Sequence, residues 1–222
     1  MITRVFFAAR RSDLTTEACL AHWRSHHSAI GARLPKVRGY VQNHGVLSGG
    51  RFLLPYPGFD IMPELDWDDL PAMDAAIDSP AHEQDSVDDE ANFIDTTRTG
   101  YAVTTRRVLI DLTPASGAVK LITLFRRAPT APESAVAEAL TGPYAAVVAL
   151  GEGPLRHEVL IALPDRTERA PFAVQAVDIL WFATPANALA WTASDVADRA
   201  AWHLAGVAAG TERLIARPHR VV

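Results

Sequence analysis

One cysteine in 222 residues, Cys19, leaves no partner for an internal disulfide, which fits a reducing compartment and an expected cytoplasmic location. There is no basic run. Lys and Arg number 21 against 26 Asp and Glu, for a net charge of −5, which argues against nucleic acid or an anionic membrane as partner. No stretch approaches the roughly 18 consecutive apolar residues of a membrane span. The first apolar run, Val5 to Ala9, is closed by Arg10-Arg11 and is too short for a signal peptide, so a soluble, unprocessed protein is expected. Also missing are a phosphate-binding glycine loop, a Gly-x-Ser-x-Gly elbow, a Cys-x-x-Cys pair and a dinucleotide fingerprint, so no cofactor is expected. His22 and His26 have a spacing that can share a metal, but no acidic third ligand stands at a telling distance, and no metal is expected.

What is present is ordinary globular material, 49% apolar and 21% charged, in a length that suits two units of about 100 residues. Val5 to Ala9 reads as a strand, a helix follows from about Thr16 to Leu34, and Gly39 to Leu47 and Phe59 to Trp67 read as further strands. Residues 69–93 read as helical in two pieces divided at Ser79-Pro80, and Gly100 to Leu109 as a fourth strand. The order is βαββαβ, and it recurs. Ala118 to Phe125 with Arg126-Arg127 echoes Val5 to Arg11, and Thr130 to Glu133 has the spacing of a capping box opening a helix to about Leu150. Leu155 to Leu163 and Phe172 to Phe182 read as strands separated by a polar loop, then come a helical region from Thr184-Pro185 to about Ala209 and a last strand, Leu214 to Val222. Trp67 and Trp181 each leave a strand four positions before a Pro-Ala that starts a helix. The expected division is a functional unit 1–110, a linker 111–118, and a second, degenerate unit 119–222.

A βαββαβ unit leaves one apolar sheet face that must be covered. Two copies in one chain can cover each other. The expected fold is therefore α+β, with two units closing an intramolecular pseudo-dimeric α/β barrel whose helices lie outside; a further pairing into a homodimer is left open.

The chemistry concentrates between Leu14 and His44, where four of the eight histidines lie. On the first helix Leu20, Trp23, His27, Ile30 and Leu34 recur at three- and four-residue steps, so His27 sits on the apolar stripe. An imidazole in that setting is the leading candidate for general acid or base. Alternation on the second strand puts Tyr40, Gln42 and His44 on one face, facing the same cleft as His27 if that face meets the helices. Asp60 and Glu64 share a parity on the third strand and are candidates to orient the imidazole, with Asp178 as the expected counterpart of Glu64 in the second copy. Trp23, Tyr40, Phe93 and His82 are candidate walls of a substrate cavity. No histidine occurs between Arg127 and Leu155, so the second copy is expected to lack this chemistry.

These residues resemble the EthD domain family of the dimeric α/β-barrel, ferredoxin-like superfamily. The match is carried by His22-Trp23-Arg24 with His27, Tyr40-Val41-Gln42-Asn43-His44, Phe59-Asp60, Trp67-Asp68-Asp69-Leu70 and Asp89-Glu90-Ala91-Asn92-Phe93. His27 aligns with the second histidine of the family's His-Trp-Arg-x-x-His-Gly-Pro pattern; Ser28-Ala29 replaces its Gly-Pro, which Gly142-Pro143 is expected to preserve in the second copy. The resemblance implies a helix–sheet cleft for small, apolar, oxygenated molecules, aromatic or polyketide-like. The expected activity is a cofactor-independent lyase or isomerase, a dehydratase, decarboxylase or lactone isomerase working through His27, His44, Asp60 and Glu64. The alternatives are a cofactorless or haem-assisted monooxygenase, and a non-catalytic ligand-binding or accessory protein.

Overall fold

The computed structural model describes residues 1–167 and 174–222. Its first unit contains β1 (Ile2–Arg10), helix α1 (16–31), β2 (Gly39–Gly45), a small hairpin of β3 (Leu47–Ser48) and β4 (Arg51–Phe52), β5 (Pro63–Trp67), α2 (Leu70–Ile77), α3 (81–90) and β6 (Ile94–Asp111). The second contains β7 (Val119–Arg127), α4 (135–150), β8 (Arg156–Thr167), β9 (Ala176–Phe182), α5 (Pro185–Thr192), α6 (Asp195–Trp202) and β10 (Ala208–Arg220).

All long strands form one closed antiparallel barrel in the order β1-β5-β2-β10-β7-β9-β8-β6. Each unit contributes four consecutive strands of that order. The units join at two seams, β2 with β10 and β6 with β8, so neither sheet keeps a free edge. This is the expected intramolecular pseudo-dimer.

Period-two alternation sorts every strand between the barrel interior and the helices. Val5, Phe7, Ile122, Leu124, Leu160 and Ile179 fill the interior, whereas Tyr40 and Trp67 pack under the first unit's helices, and Leu121 and Leu180 under the second's. The interior is not wholly apolar. Glu64 of the first unit meets Lys120 of the second at 2.6 Å, and Arg106 bridges Glu64 (2.7 Å) to Glu158 (2.9 Å), so buried ion pairs tie the halves together.

Several boundaries differ from expectation. The capping box at Thr130 to Glu133 is unused, and α4 begins after Ser134. β6 starts at Ile94, because its threonine-rich first part pairs with the end of β1 (Ala8 with Thr99, Arg10 with Ile94) without any apolar alternation to announce it. It runs to Asp111, which shortens the connection to 112–118. Phe59 to Met62 is not regular strand apart from one bridge between Ala8 and Ile61; Pro63 opens β5. β8 continues to Thr167 through residues expected as loop, and β10 begins at Ala208. The remainder of that expected loop, 168–171, and the expected strand start at Phe172 and Ala173 lie outside the described residues.

Candidate functional site: two clefts

Helix α1 starts on the Thr15 side chain, which accepts from the Ala18 N–H, and contains a wide π-helical turn at Trp23–His27. Such turns carry one extra residue and recur at functional sites. Here the turn sets His27 against α3. His27 Nδ1 lies 2.9 Å from Asp89, which also receives His22 Nε2 at 2.9 Å. Burial works to raise the Asp89 pKa, but the hydrogen bonds from His27 and His22 prevail and hold it below the ordinary value. Burial lowers the His27 pKa, with the Asp89 hydrogen bond opposing. The neutral imidazole therefore donates Nδ1–H to Asp89, which leaves Nε2 as a lone-pair base.

Beneath the helix, Gln42 fixes a second group. Its Oε1 accepts from His44 Nε2 at 3.0 Å, and its Nε2 donates to the Trp23 carbonyl (2.8 Å) and the Tyr40 hydroxyl (2.9 Å). Both amide hydrogens are spent, so the Tyr40 oxygen accepts and its own hydrogen remains to be donated into the cleft. Burial pushes the Tyr40 pKa up to about 12, which keeps that hydrogen in place. His82, Ser86 and Glu90 of α3, at four-residue steps, line the opposite wall. Burial pushes the Glu90 carboxyl up to about 7 against the Arg4 guanidinium. The space left between these walls is only about 30 Å³.

Of the expected site residues, Trp23, His27, Tyr40 and His82 line this cleft. His44 does not. It packs at a tilt against Trp23, with ring centroids 4.6 Å apart, and hydrogen-bonds Gln42; burial, reinforced by Arg24 and His219, lowers its pKa to about 4. Phe93 lies behind the site and packs on the His22 and His27 rings. Asp60 is elsewhere: it accepts from Arg10 N–H, Thr16 and Tyr56, pinning the start of α1 to the end of β1. Glu64 is on the wrong side of the sheet, in the barrel's ion pairs, because Asp60 precedes β5 and the shared parity assumed one continuous strand. The imidazole is oriented instead by Asp89. Asp89 and Glu90 stand at the end of α3; the sequence marks them through the stretch Asp89 to Phe93 that carries the EthD resemblance and through an acidic run with Asp88, neither of which gives them a role.

The second cleft is built on the same plan with other side chains. Its π-helical turn, Leu140–Tyr144, ends on Tyr144 as the first ends on His27. Gly142-Pro143 therefore precedes the equivalent position and does not preserve the Gly-Pro that follows the family's histidine. Tyr144 donates to Asp178 at 2.9 Å, and Asp178 is 2.6 Å from Nε2 of His157. His157 opposes Leu180 in the sheet as Tyr40 opposes Leu65, and Asp178 faces the helices while Glu64 faces the interior, so the two acids are not counterparts. A histidine from a strand thus stands behind this cleft, fully buried and joined to Tyr144 through Asp178. Burial, with the Asp178 carboxylate beside it, raises the Tyr144 pKa well above normal. Next to Tyr144 opens a cavity of about 250 Å³.

Among the described residues no group of three or more His, Cys, Asp or Glu is arranged to hold a metal ion. No helix in the described residues is long and apolar enough to cross a membrane.

The EthD domain family model matches residues 11–97. No curated protein matches significantly. Among solved structures, an anthrone oxidase-like protein superposes with a TM-score of 0.70 at 12% identity, covering 99% of this chain and 93% of its own. A candidate monooxygenase of Fusobacterium nucleatum gives 0.58 at 12%, covering 98% and 93%, and one of Lactobacillus acidophilus 0.53 at 12%, covering 100% and 94%. The likeness spans both halves, so the two-unit barrel is a fold these chains have in common.

Proposed function

We propose, on the premise that residues 11–97 form an EthD domain, that the first cleft catalyses proton transfer at an activated carbon of a small, apolar, oxygenated molecule. The observation that carries this is the His27–Asp89 pair at 2.9 Å beside a hydroxyl whose hydrogen is free to be donated. Tyr40 hydrogen-bonds the substrate carbonyl and stabilises the oxyanion as charge develops. His27 Nε2 removes the proton next to that carbonyl, and Asp89 stabilises the imidazolium that forms. Glu90, with a pKa of about 7, is suited to return a proton at neutral pH. His44 and Gln42 are positioning residues that fix the Tyr40 hydroxyl.

About 30 Å³ holds little more than a water molecule, so a substrate enters when the α3 wall of His82, Ser86 and Glu90 moves outward. That wall begins in the π-helical turn Ala81–Ser86, whose looser hydrogen bonding suits such movement. His44, a candidate axial ligand for a haem, packs against Trp23 and does not line this cleft.

The resulting enolate can be reprotonated or expel a group, the lyase or isomerase course. It is equally the species that dioxygen attacks, one oxygen entering the carbon and the other leaving as water. The names of the anthrone oxidase-like and monooxygenase neighbours favour this oxygenating course. Incubation with anthrone in D2O separates them: deuterium exchange without oxygen uptake marks the first, stoichiometric oxygen consumption the second. His27→Ala should abolish either activity in protein that still unfolds in one cooperative transition, and His27→Asn should do the same with less loss of packing. Unchanged rates in either variant would refute the proposal.

A further inference from the structure

The second cleft has the space that the first lacks, and the reason is legible residue by residue. Counted from the serine ahead of each helix, Ser79 and Ser194, the residues 3, 7 and 11 positions on are His82, Ser86 and Glu90 in the first unit and Ala197, Ala201 and Ala205 in the second. All six line their clefts. Three alanines replace the polar wall, Thr123 stands on β7 at the strand position that Phe6 holds on β1, and the cavity grows from about 30 to about 250 Å³. A void that size would be costly as a packing defect, since unfilled space forfeits dispersion contacts.

Its charge is also distinct. In the first cleft the Arg4 guanidinium lies 4.9 Å from the Tyr101 ring centroid. The strand partner of Phe6 is Tyr101, and the strand partner of Thr123 is Arg213, so the second unit has its cation on the neighbouring strand. Arg213 lies at the mouth of the cavity, exposed, and makes no hydrogen bond or ion pair among the described residues. Leu121, Phe125, Trp191 and Leu204 supply an apolar body beneath it. The Tyr144 hydroxyl hydrogen is committed to Asp178, so its oxygen can only accept there, and the anion has to meet Arg213 and the Thr123 and Thr211 hydroxyls.

We infer that the second cleft is a binding site for a small organic anion: an apolar aromatic body of one or two rings, carrying one carboxylate that pairs with Arg213. An apolar cavity of about 150 Å³ in another protein accepts a single benzene ring, so the larger space here suits a fused pair. The site is independent of the proton-transfer chemistry of the first cleft.

Calorimetric titration of the full chain with 2-naphthoate, and with 2-naphthylmethanol as its uncharged analogue, tests this. The acid should bind at one equivalent and at least about tenfold more tightly than the alcohol, because the guanidinium–carboxylate pair is lost in the latter. Arg213→Gln, an exposed substitution, should erase that difference and leave alcohol binding unchanged. Ala201→Leu should fill the cavity and abolish binding of both probes, with the thermal transition kept as a check of folding; Ala197→Val serves if that variant does not fold. Absence of saturable naphthoate binding, or binding that survives both Arg213→Gln and the cavity-filling variant, would overturn the inference.

Discussion

In the first unit a helix carries the imidazole and a strand the phenol; in the second the helix carries Tyr144 and the strand His157. Each helix group bonds a carboxylate at 2.9 Å, but Asp89 comes from a helix and Asp178 from a strand. Exchanging the two rings changes what each cleft can do. His27 keeps a ring nitrogen for a ligand, whereas Tyr144 spends its hydroxyl hydrogen on Asp178, and the buried Nδ1 of His157 has no hydrogen-bond partner among the described residues. One fold thus holds a tight acid–base site beside an open, cationic cavity. The backbone is common to both, and a handful of side chains sets the difference.

The largest expected effect breaks the first cleft alone. His27→Ala should lower turnover by roughly 10²- to 10⁴-fold, the usual worth of a positioned acid–base group, and His27→Asn, which keeps more of the buried volume and a polar partner for Asp89, should lower it as far at a smaller cost in stability. Steady-state rates on whichever carbon acid is turned over would show it. A second substitution strikes what the two halves share. Glu64→Ala leaves Lys120 buried without its carboxylate partner, and loss of one member of a buried pair costs about 3–5 kcal/mol. Urea denaturation should register that loss as a single cooperative transition, because the pair crosses from one unit to the other. Two transitions would show that the halves unfold separately.

Much of this architecture is legible in the sequence. Duplicated βαββαβ order and the stripe of Trp23, His27 and Leu34 place the helices and predict the closed barrel, whereas the two tryptophans are one residue out of phase: Phe182 holds the place of Trp67, and Trp181 faces the interior. Alternation on β2 groups Tyr40, Gln42 and His44 on one face and leaves its direction open; the structure turns that face toward the helices. What escapes is whatever depends on a one-residue phase. The irregular stretch before Pro63 hides that Glu64 faces the interior, and the π-helical turns shift which residue of each helix reaches the cleft. Asp89 and Glu90 belong to a stretch that carries the EthD resemblance, but their role is hidden for another reason: their burial depends on how α3 packs on α1, and locally they read as solvated acids. Cavity size depends on alanines, which carry no chemical signal of their own.

A smaller effect tests why the two rings exchanged places. Gly31 follows His27 by four residues, as Val148 follows Tyr144. A Cβ on Gly31 would stand 2.6 Å from the Tyr40 ring, so the glycine makes room for a phenol that the second unit does not place there. Gly31→Ala should therefore cost about 1–3 kcal/mol through overpacking and displace the Tyr40 hydroxyl. Coupling Gly31→Ala with Tyr40→Phe would not restore stability, since the ring remains; coupling it with Tyr40→Ala should relieve the clash, at the price of a cavity. Additive costs in the Gly31→Ala/Tyr40→Ala double variant would remove this explanation.

The smallest effect is a pH dependence confined to one cleft. Glu90 is raised from an ordinary 4.5 to about 7 by burial, so the folded protein prefers it protonated. Below pH 4.5 the group is protonated in both folded and unfolded chains and costs nothing. Between 4.5 and 7 the unfolded chain releases its proton while the folded one retains it, and stability is lost progressively; above 7 the loss is complete, on the order of 2 kcal/mol after allowance for partial exposure. Glu90→Gln removes the titration and keeps the shape. Its stability relative to the parent should therefore grow as pH rises from 4.5 to 7 and then level off, as read from urea midpoints along a pH series. Ala205 holds the matching place in the second cleft, and Ala205→Gln, which adds no titrating group, should change stability by the same amount at every pH. A pH-independent difference for Glu90→Gln would mean that Glu90 is solvated, and the proton-returning role proposed for it would fall with that result.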